Sequence, residues 1–257
     1  MESDALIGSS GFVGSNLLRN REFGTTFSST NIDEIRGREF RTLICAAPGA
    51  EKWKANRDPD GDKASVMRLW ESLRAARAEK VILISTVDVY PRPVDVDELT
   101  PIDFDAGTPY GRHRLELERL VSEYFNALII RLPGLFGPGL KKNALYDLLH
   151  DHQVDAIDPR AVYQFYDVTR LARDIDIAEN AQLSSLNVAT EPIAIDVVAH
   201  QIFARILALP DDRIAARYDM RTRHAGLFGG KFGYLQSAED VLQDMKAWVA
   251  TTMAPPE

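Results

Sequence analysis

The stretch LIGSSGFVGSNLL, Leu6–Leu18, decides how this chain is read. It sets Gly8, Gly11 and Gly14 three residues apart, after the short apolar run Asp4–Gly8 and before an amphipathic run from Phe12 to Asn20. In a strand–turn–helix of this kind each glycine has a physical task. One makes the tight turn, one lets the backbone approach a pyrophosphate, and one lets the helix pack closely on the strand. Free N–H groups at the helix start then attract phosphate charge. Gly8, Ser10, Gly11, Phe12, Val13 and Gly14 are therefore candidate dinucleotide contacts. The plain alternative is a glycine-rich turn without a ligand. The position of the turn, at the first junction of an alternating chain, favours the ligand.

Outward from that turn, short apolar runs alternate with longer amphipathic ones. Strands are predicted at Thr25–Ser29, Arg41–Pro48, Lys80–Thr86 and Ala127–Leu132. Helices are predicted at Asp60–Ala78, where Val66, Leu69, Trp70 and Leu73 share one face, and at Tyr110–Tyr124. Continuous apolar strands such as KVILIST suit a sheet covered on both faces. The alternation predicts an α/β fold with a Rossmann-type doubly wound parallel sheet. Residues 1–135 are read as the dinucleotide-binding core. Residues 136–257 are read mainly as a small C-terminal substrate lobe, parts of which return to the core. In that half, helices are expected near Asn143–His150, Val168–Asn180, Ala194–Ala208 and Ala238–Thr251, with strands at Tyr163–Tyr166 and Ser185–Val188.

Composition narrows the partners. A formal net charge of −8 over 257 residues argues against nucleic acid or an anionic membrane as the main partner. It leaves an anionic small ligand open, because backbone dipoles bind phosphate on acidic proteins too. With one cysteine, Cys45, no intramolecular disulfide forms, and no Cys/His cluster has metal-ligand spacing. No apolar run is long enough to span a membrane and no signal-peptide pattern opens the chain, so a cytoplasmic protein is expected. About 20 residues after the glycines such sites carry an acid for the adenosine ribose. Here Ser28, Ser29, Thr30 and Asn31 fill that zone, with Asp33 just beyond and no neighbouring arginine. Hydroxyls and amides accept a 2′-phosphate better than a carboxylate does, which leans slightly to NADP over NAD.

Five segments, in order, carry a family resemblance: IGSSGFVGSNL, CAAPGA, ISTVDVY, PYGRHR and RLPGLFGPG. With YQFYDVTRLARDI and LNVAT further on, nearly the whole chain resembles the extended short-chain dehydrogenase/reductase family of sugar-nucleotide epimerases, dehydratases and reductases. The resemblance implies that Tyr110 is the general acid/base and that Thr86 holds the same substrate oxygen. It implies that residue 114 supplies positive charge and holds the nicotinamide ribose. Cys45, Ala46, Ala47 and Pro133 would join the glycines, Ser28 and Ser29 around NAD or NADP. A tyrosine, with an ordinary pKa of about 10, needs nearby positive charge to ionise near neutral pH.

Four departures mark this chain. Residue 114 is Arg where the resembled motif has Lys, so charge is kept and a proton relay is lost. The plain alternative for Tyr110–Arg114 is a solvated helix surface. Asp88 stands alone where dehydratases carry an acidic pair, which disfavours dehydration. Gly134 replaces an asparagine that contacts the substrate diphosphate in many members; Lys141, Lys142 and Asn143 are either phosphate ligands or an ordinary helix start. The segment before Arg41 is short, as in compact members that reduce 4-keto sugars. The expectation is an NAD(P)-dependent reductase or epimerase acting on a nucleotide sugar or related polyol, with Thr86, Asp88, Lys142 and Asn143 toward substrate. The alternative is a cofactor-binding but catalytically weak regulator or scaffold. Relatives often form homodimers through helices corresponding to Asp60–Ala78 and Tyr110–Tyr124, placing Trp70 either at the seam or in the core.

Overall fold

A computed structural model, which describes residues 3–209 and 214–253, gathers the apolar runs into one central sheet. The first half of the chain runs β1 (Ala5–Ile7), α1 (Phe12–Asn20), β2 (Thr25–Phe27), β3 (Glu39–Cys45), α2 (Lys52–Arg57), α3 (Pro59–Leu73), β4 (Arg77–Thr86), β5 (Val94–Val96), α4 (Pro109–Tyr124) and β6 (Ala127–Leu132). The second half runs β7 (Gly134–Phe136), α5 (Ala144–His150), β8 (Val162–Tyr163), β9 (Phe165–Asp167), α6 (Leu171–Asn180), β10 (Ser185–Asn187), β11 (Ile193–Ala194), α7 (Ile195–Phe203), β12 (Asp219–Met220) and α8 (Ala238–Met253). The large sheet has the order β10-β6-β4-β3-β1-β2. β1 pairs in parallel with β2 on one side and β3 on the other, and β3–β4 and β4–β6 are parallel too. The chain thus reverses direction across the sheet at β1. That is the switch point beyond whose strand ends α/β sheets bind ligands.

By its contacts the chain forms two compact units, one assembled from the N-terminal segment through Arg92, Leu99–Leu132 and Leu171–Leu186. Its core joins Leu43 and Cys45 of β3, Val81 and Leu83 of β4 and Ile129 of β6 to Val66, Leu69, Trp70 and Leu73 of α3 and Leu117 and Val121 of α4. Burying a side chain such as Leu73 completely is worth about 1.5–3 kcal/mol, so the stripe read from the sequence holds α3 on the sheet. Both long helices begin at a cap followed by proline. Asp58 accepts from the Gly61 N–H before α3, and Thr108 from the Gly111 N–H before α4. Trp70 is buried within this unit, edge-to-face with Tyr124 at 5.6 Å between ring centroids. It therefore gives no support to a dimer seam.

The other unit comprises Pro93–Glu98, Pro133–Arg170 and the chain from Asn187 onward. Its own core brings Phe136, Leu145 and Leu148 together with Ile195 and Val198 of α7 and Val241, Met245 and Trp248 of α8. Small two-stranded sheets, β7–β9, β8–β11 and β5–β12, frame it.

Several predicted boundaries move, each for a local reason. The helix expected over Asp60–Ala78 stops at Leu73, because Arg77 and Ala78 enter the β4 ladder opposite Glu39 and Phe40. The strand expected over Thr25–Ser29 ends at Phe27, where the Asn31 Oδ1 captures the Ser28 N–H at 2.7 Å and turns the chain. The strand expected over Tyr163–Tyr166 is two strands, one pairing antiparallel with β11 and the next parallel with β7. The helix expected from Val168 opens as a 3-10 turn and becomes α6 only at Leu171. The helix expected over Ala194–Ala208 ends at Phe203, followed by Ala204 in the left-handed region. Between β2 and β3 a single 3-10 turn, Ile32–Ile35, buries both isoleucines where a full helix would otherwise stand.

Candidate active site

Backbone proximity builds the glycine cradle. Gly8 has φ +86°, in the left-handed region, and a Cβ there would meet the Ala46 carbonyl oxygen at 2.7 Å. A Cβ on Gly14 would run into the Gly8 carbonyl. No side-chain hydrogen bond caps α1 at its N-cap residue, Gly11, which is exposed. The first N–H groups of a nine-residue helix therefore face a turn that side chains do not fill. This cradle fits a pyrophosphate. Ser10 is exposed at its rim, and Phe12 and Val13 are half-buried in the first turn. Across from it, Ala46 donates its N–H to the Ile7 carbonyl at 2.9 Å, and the Cys45 thiol points to the Ala47 carbonyl at 3.4 Å. Burial pushes the Cys45 thiol up to about 12, which makes it a packing residue and not a nucleophile.

At the end of β2, Ser28, Thr30 and Asn31 are knotted by local hydrogen bonds, Ser28 Oγ lying 2.7 Å from Thr30 Oγ1. Asp33 turns toward α3, its carboxylate accepting from Ser72 Oγ at 3.2 Å and from Arg36. The sequence places no arginine beside Ser28 and Ser29. The fold does: Arg68 of α3 donates to the Ser29 carbonyl at 3.2 Å.

Tyr110 and Thr86, which the resemblance sets together, lie near each other. Tyr110 lies in the first turn of α4, 5% exposed, close enough to Thr86 at the end of β4 for the threonine to favour its anion. A Cβ on Gly111 would collide with the Asp88 carbonyl, so glycine lets α4 start directly against the turn that follows β4. The plain reading of Tyr110–Arg114 as a solvated surface pair is overturned, since Arg114 is also 5% exposed. Its guanidinium carbon sits 4.3 Å from the Tyr110 ring centroid, in cation–π contact. Its Nη1 donates to Asp62 at 2.5 Å and its Nη2 to the Gly49 carbonyl at 2.7 Å. Asp62 also holds His113 Nδ1 at 2.7 Å. Arg114 is thus a brace joining α4 to α3 and to the loop after β3.

The electrostatics follow from burial. Burial would raise the Asp62 carboxyl, but hydrogen bonds from Arg114 and His113 outweigh it and hold it below the usual carboxylate range. For Tyr110 the balance goes the other way. Burial, the largest influence, raises it above the ordinary tyrosine value; Arg114 opposes this, Asp88 adds to it, and Thr86 and Lys52 oppose it more weakly. Arg114 thus pulls the tyrosine downward, and desolvation exceeds the pull of a cation already paired with Asp62. Asp88 is not an isolated acid. Its carboxylate takes Lys52 Nζ at 2.6 Å, and its N–H donates to Thr86 Oγ1 at 3.1 Å.

Three candidates lie in the other unit. Pro133 is buried just past β6. Asn143 caps α5, accepting from the Leu145 and Tyr146 N–H groups and donating to the Leu135 carbonyl, so its side chain is used as a cap and not as a phosphate ligand. Lys142 stands beside it, exposed. Gly134 explains itself in the same unit: a Cβ there would meet the Gln164 carbonyl at 2.9 Å, so β7 and β9 pair too closely for asparagine.

Sequence reasoning missed Lys52, Asn56, Asp62, Arg68 and His113 as neighbours of these groups. The run DPDGD reads only as an acidic helix start, and no spacing links residue 62 to residue 114. Contact between α3 and α4 makes that link.

Residues 42–154 match the model of the NAD dependent epimerase/dehydratase family. No curated protein sequence matches the chain significantly. Among solved structures the chain is similar to a UDP-glucose 4-epimerase from Thermotoga maritima (TM-score 0.72, 15% identity, 98% of this chain and 100% of that one). It is also similar to a dTDP-4-dehydrorhamnose reductase from Clostridium acetobutylicum (0.75, 12%, 98% and 100%). A third is a dTDP-glucose 4,6-dehydratase from Streptomyces venezuelae whose structure holds NAD (0.74, 13%, 97% and 97%). At these identities the likeness is one of fold. With the family model it bears out the recognition drawn from the five motifs.

Proposed function

From the premise that this chain carries the NAD-dependent epimerase/dehydratase domain within an extended short-chain dehydrogenase/reductase fold, we propose that it is a nicotinamide-dependent enzyme acting on a nucleotide sugar, as a 4-keto reductase or an epimerase. The observation that carries the reading is Tyr110 buried in the first turn of α4 with the Arg114 guanidinium against its ring, in the same unit as Thr86 and an uncapped glycine cradle.

The cradle of Gly8, Gly11 and Gly14 would hold the pyrophosphate, with Ala46 and Ala47 along the adenosine side. Ser28, Ser29 and the Arg68 guanidinium near them support a site that accepts a ribose 2′-phosphate, so NADP stands beside NAD. When bound, the nicotinamide gives or takes the hydride. Tyr110 moves the proton at its hydroxyl, and Thr86 orients the same substrate oxygen. Arg114 keeps positive charge under the tyrosine ring and fixes the loop at Gly49. Dehydratase chemistry is disfavoured, because the acid available for it, Asp88, is held by Lys52.

The test is turnover of UDP- and dTDP-linked 4-keto sugars with NADH and NADPH in parallel. Tyr110→Phe should lower the rate about 100-fold or more while cofactor affinity persists. An unchanged rate would sink the reading. A second reading, a cofactor-binding protein with little catalysis, is favoured by the upward displacement of Tyr110 and by the engagement of Arg114 with Asp62. Tight cofactor binding without turnover on any of these sugars would select it.

A further inference from the structure

Tyr110 has two kinds of charged neighbour. Arg114 is fixed by Asp62 and the Gly49 carbonyl, and its charge is compensated within a buried cluster that includes His113. The Lys52–Asp88 pair is different: the lysine side chain is 42% exposed and its ammonium lies 2.6 Å from the Asp88 carboxylate. Three contacts seat this pair against the tyrosine. Asp88 donates its N–H to Thr86 Oγ1, the hydroxyl group that also acts on Tyr110. The Asp88 carbonyl packs on Gly111, the residue after Tyr110. One turn along α2 from Lys52, the Asn56 Oδ1 accepts the Tyr110 N–H at 3.0 Å. A single short helix thus holds the backbone of Tyr110 with one residue and the neighbouring carboxylate with another.

We propose that Lys52 and Asp88 form a charge-setting pair for Tyr110, in which Lys52 takes the part of the ammonium that residue 114 lacks and Asp88 opposes it. The catalytic meaning of this pair rests on the reading of Tyr110 as the acid/base; the electrostatic claim does not. An ammonium is a compact charge on a flexible stem, here partly exposed and held by the Asp88 carboxylate, whereas the guanidinium is clamped by two acceptors in a buried cluster. The groups facing Tyr110 divide cleanly. Arg114 and Lys52 favour its anion, Asp88 disfavours it, and Asp62 and His113 act through Arg114. Glu51, beside Lys52 in sequence, pairs with Lys54 at 3.9 Å.

The test titrates the tyrosine in the full chain without cofactor or substrate. 3,5-Difluorotyrosine placed at position 110 lowers the intrinsic pKa into a range where the fold is intact, and ¹⁹F NMR reads its midpoint. Lys52→Met should raise that midpoint by about 0.5 in pH, a modest figure because the lysine is partly exposed. Asp88→Asn should lower it by a similar amount, the double variant should return toward the native value, and Lys52→Arg should leave it near native. Tyrosinate absorbance, taken as a difference against Tyr110→Phe, checks the same order on the natural side chain. Midpoints unmoved by both Lys52→Met and Asp88→Asn overturn the proposal. Shifts in the expected order combined with absent sugar turnover would reject the enzymatic reading and leave the pair standing.

Discussion

At the scale of single residues, Arg114 carries the largest consequence. Lysine has one nitrogen and a shorter reach, so it cannot hold Asp62 and the Gly49 carbonyl together as the guanidinium does. Arg114→Lys should therefore leave a buried acceptor short of a donor. It should lower stability by about 1–3 kcal/mol and weaken cofactor binding through the loosened loop at Gly49. Thermal denaturation and calorimetric titration check both; a variant as stable and as tight as the native chain would show that the brace is dispensable. What the sequence could and could not say divides at this residue. That Tyr110 and residue 114 share a helix face follows from their spacing. That the arginine is used up by Asp62 does not, because the partner is 52 positions away and becomes a neighbour only when α3 lies along α4.

At the scale of elements, the β1–α1 junction depends on distance alone. Gly14 lies so near the Gly8 carbonyl that any side chain must push α1 off the strand end. Gly14→Ala is expected to cost about 1–3 kcal/mol and to weaken NAD or NADP binding at least tenfold, measured by chemical denaturation and by calorimetry. Native-like values for both would mean that the cradle does not depend on this close approach. The elements with strong periodicity were legible in the sequence, among them α1, α4, β6 and the apolar stripe of α3. Boundaries were less so wherever tertiary pairing outcompeted local pattern. Arg77 and Ala78 continue a helical pattern yet join a ladder, and Gln164 separates two strands that read as one. α2 had no signal of its own: six residues without a full apolar face are fixed by what they touch, Asp88 and the start of α4.

At the scale of the molecule, the unit that contains the site is not closed by the first half of the chain. α6 packs on α1, with Arg21 bridging to Asp4, Asp176 and Glu179, and β10 covers the edge of β6. A fragment ending at residue 135 would expose that strand edge and the face of α1 together, and an open apolar edge favours aggregation. Such a fragment is expected to show no cooperative thermal transition by circular dichroism. A sharp transition in a monomeric fragment would mean that Leu171–Leu186 is an accessory. The returning segment also sets an order of events during synthesis. Residues 133–170, which belong to the other unit, leave the ribosome before the last strand of the first unit exists. The nascent chain must therefore wait, its sheet open along β6, until residue 186 has emerged. A pause in translation before that point lengthens the time during which the edge can pair with a foreign strand.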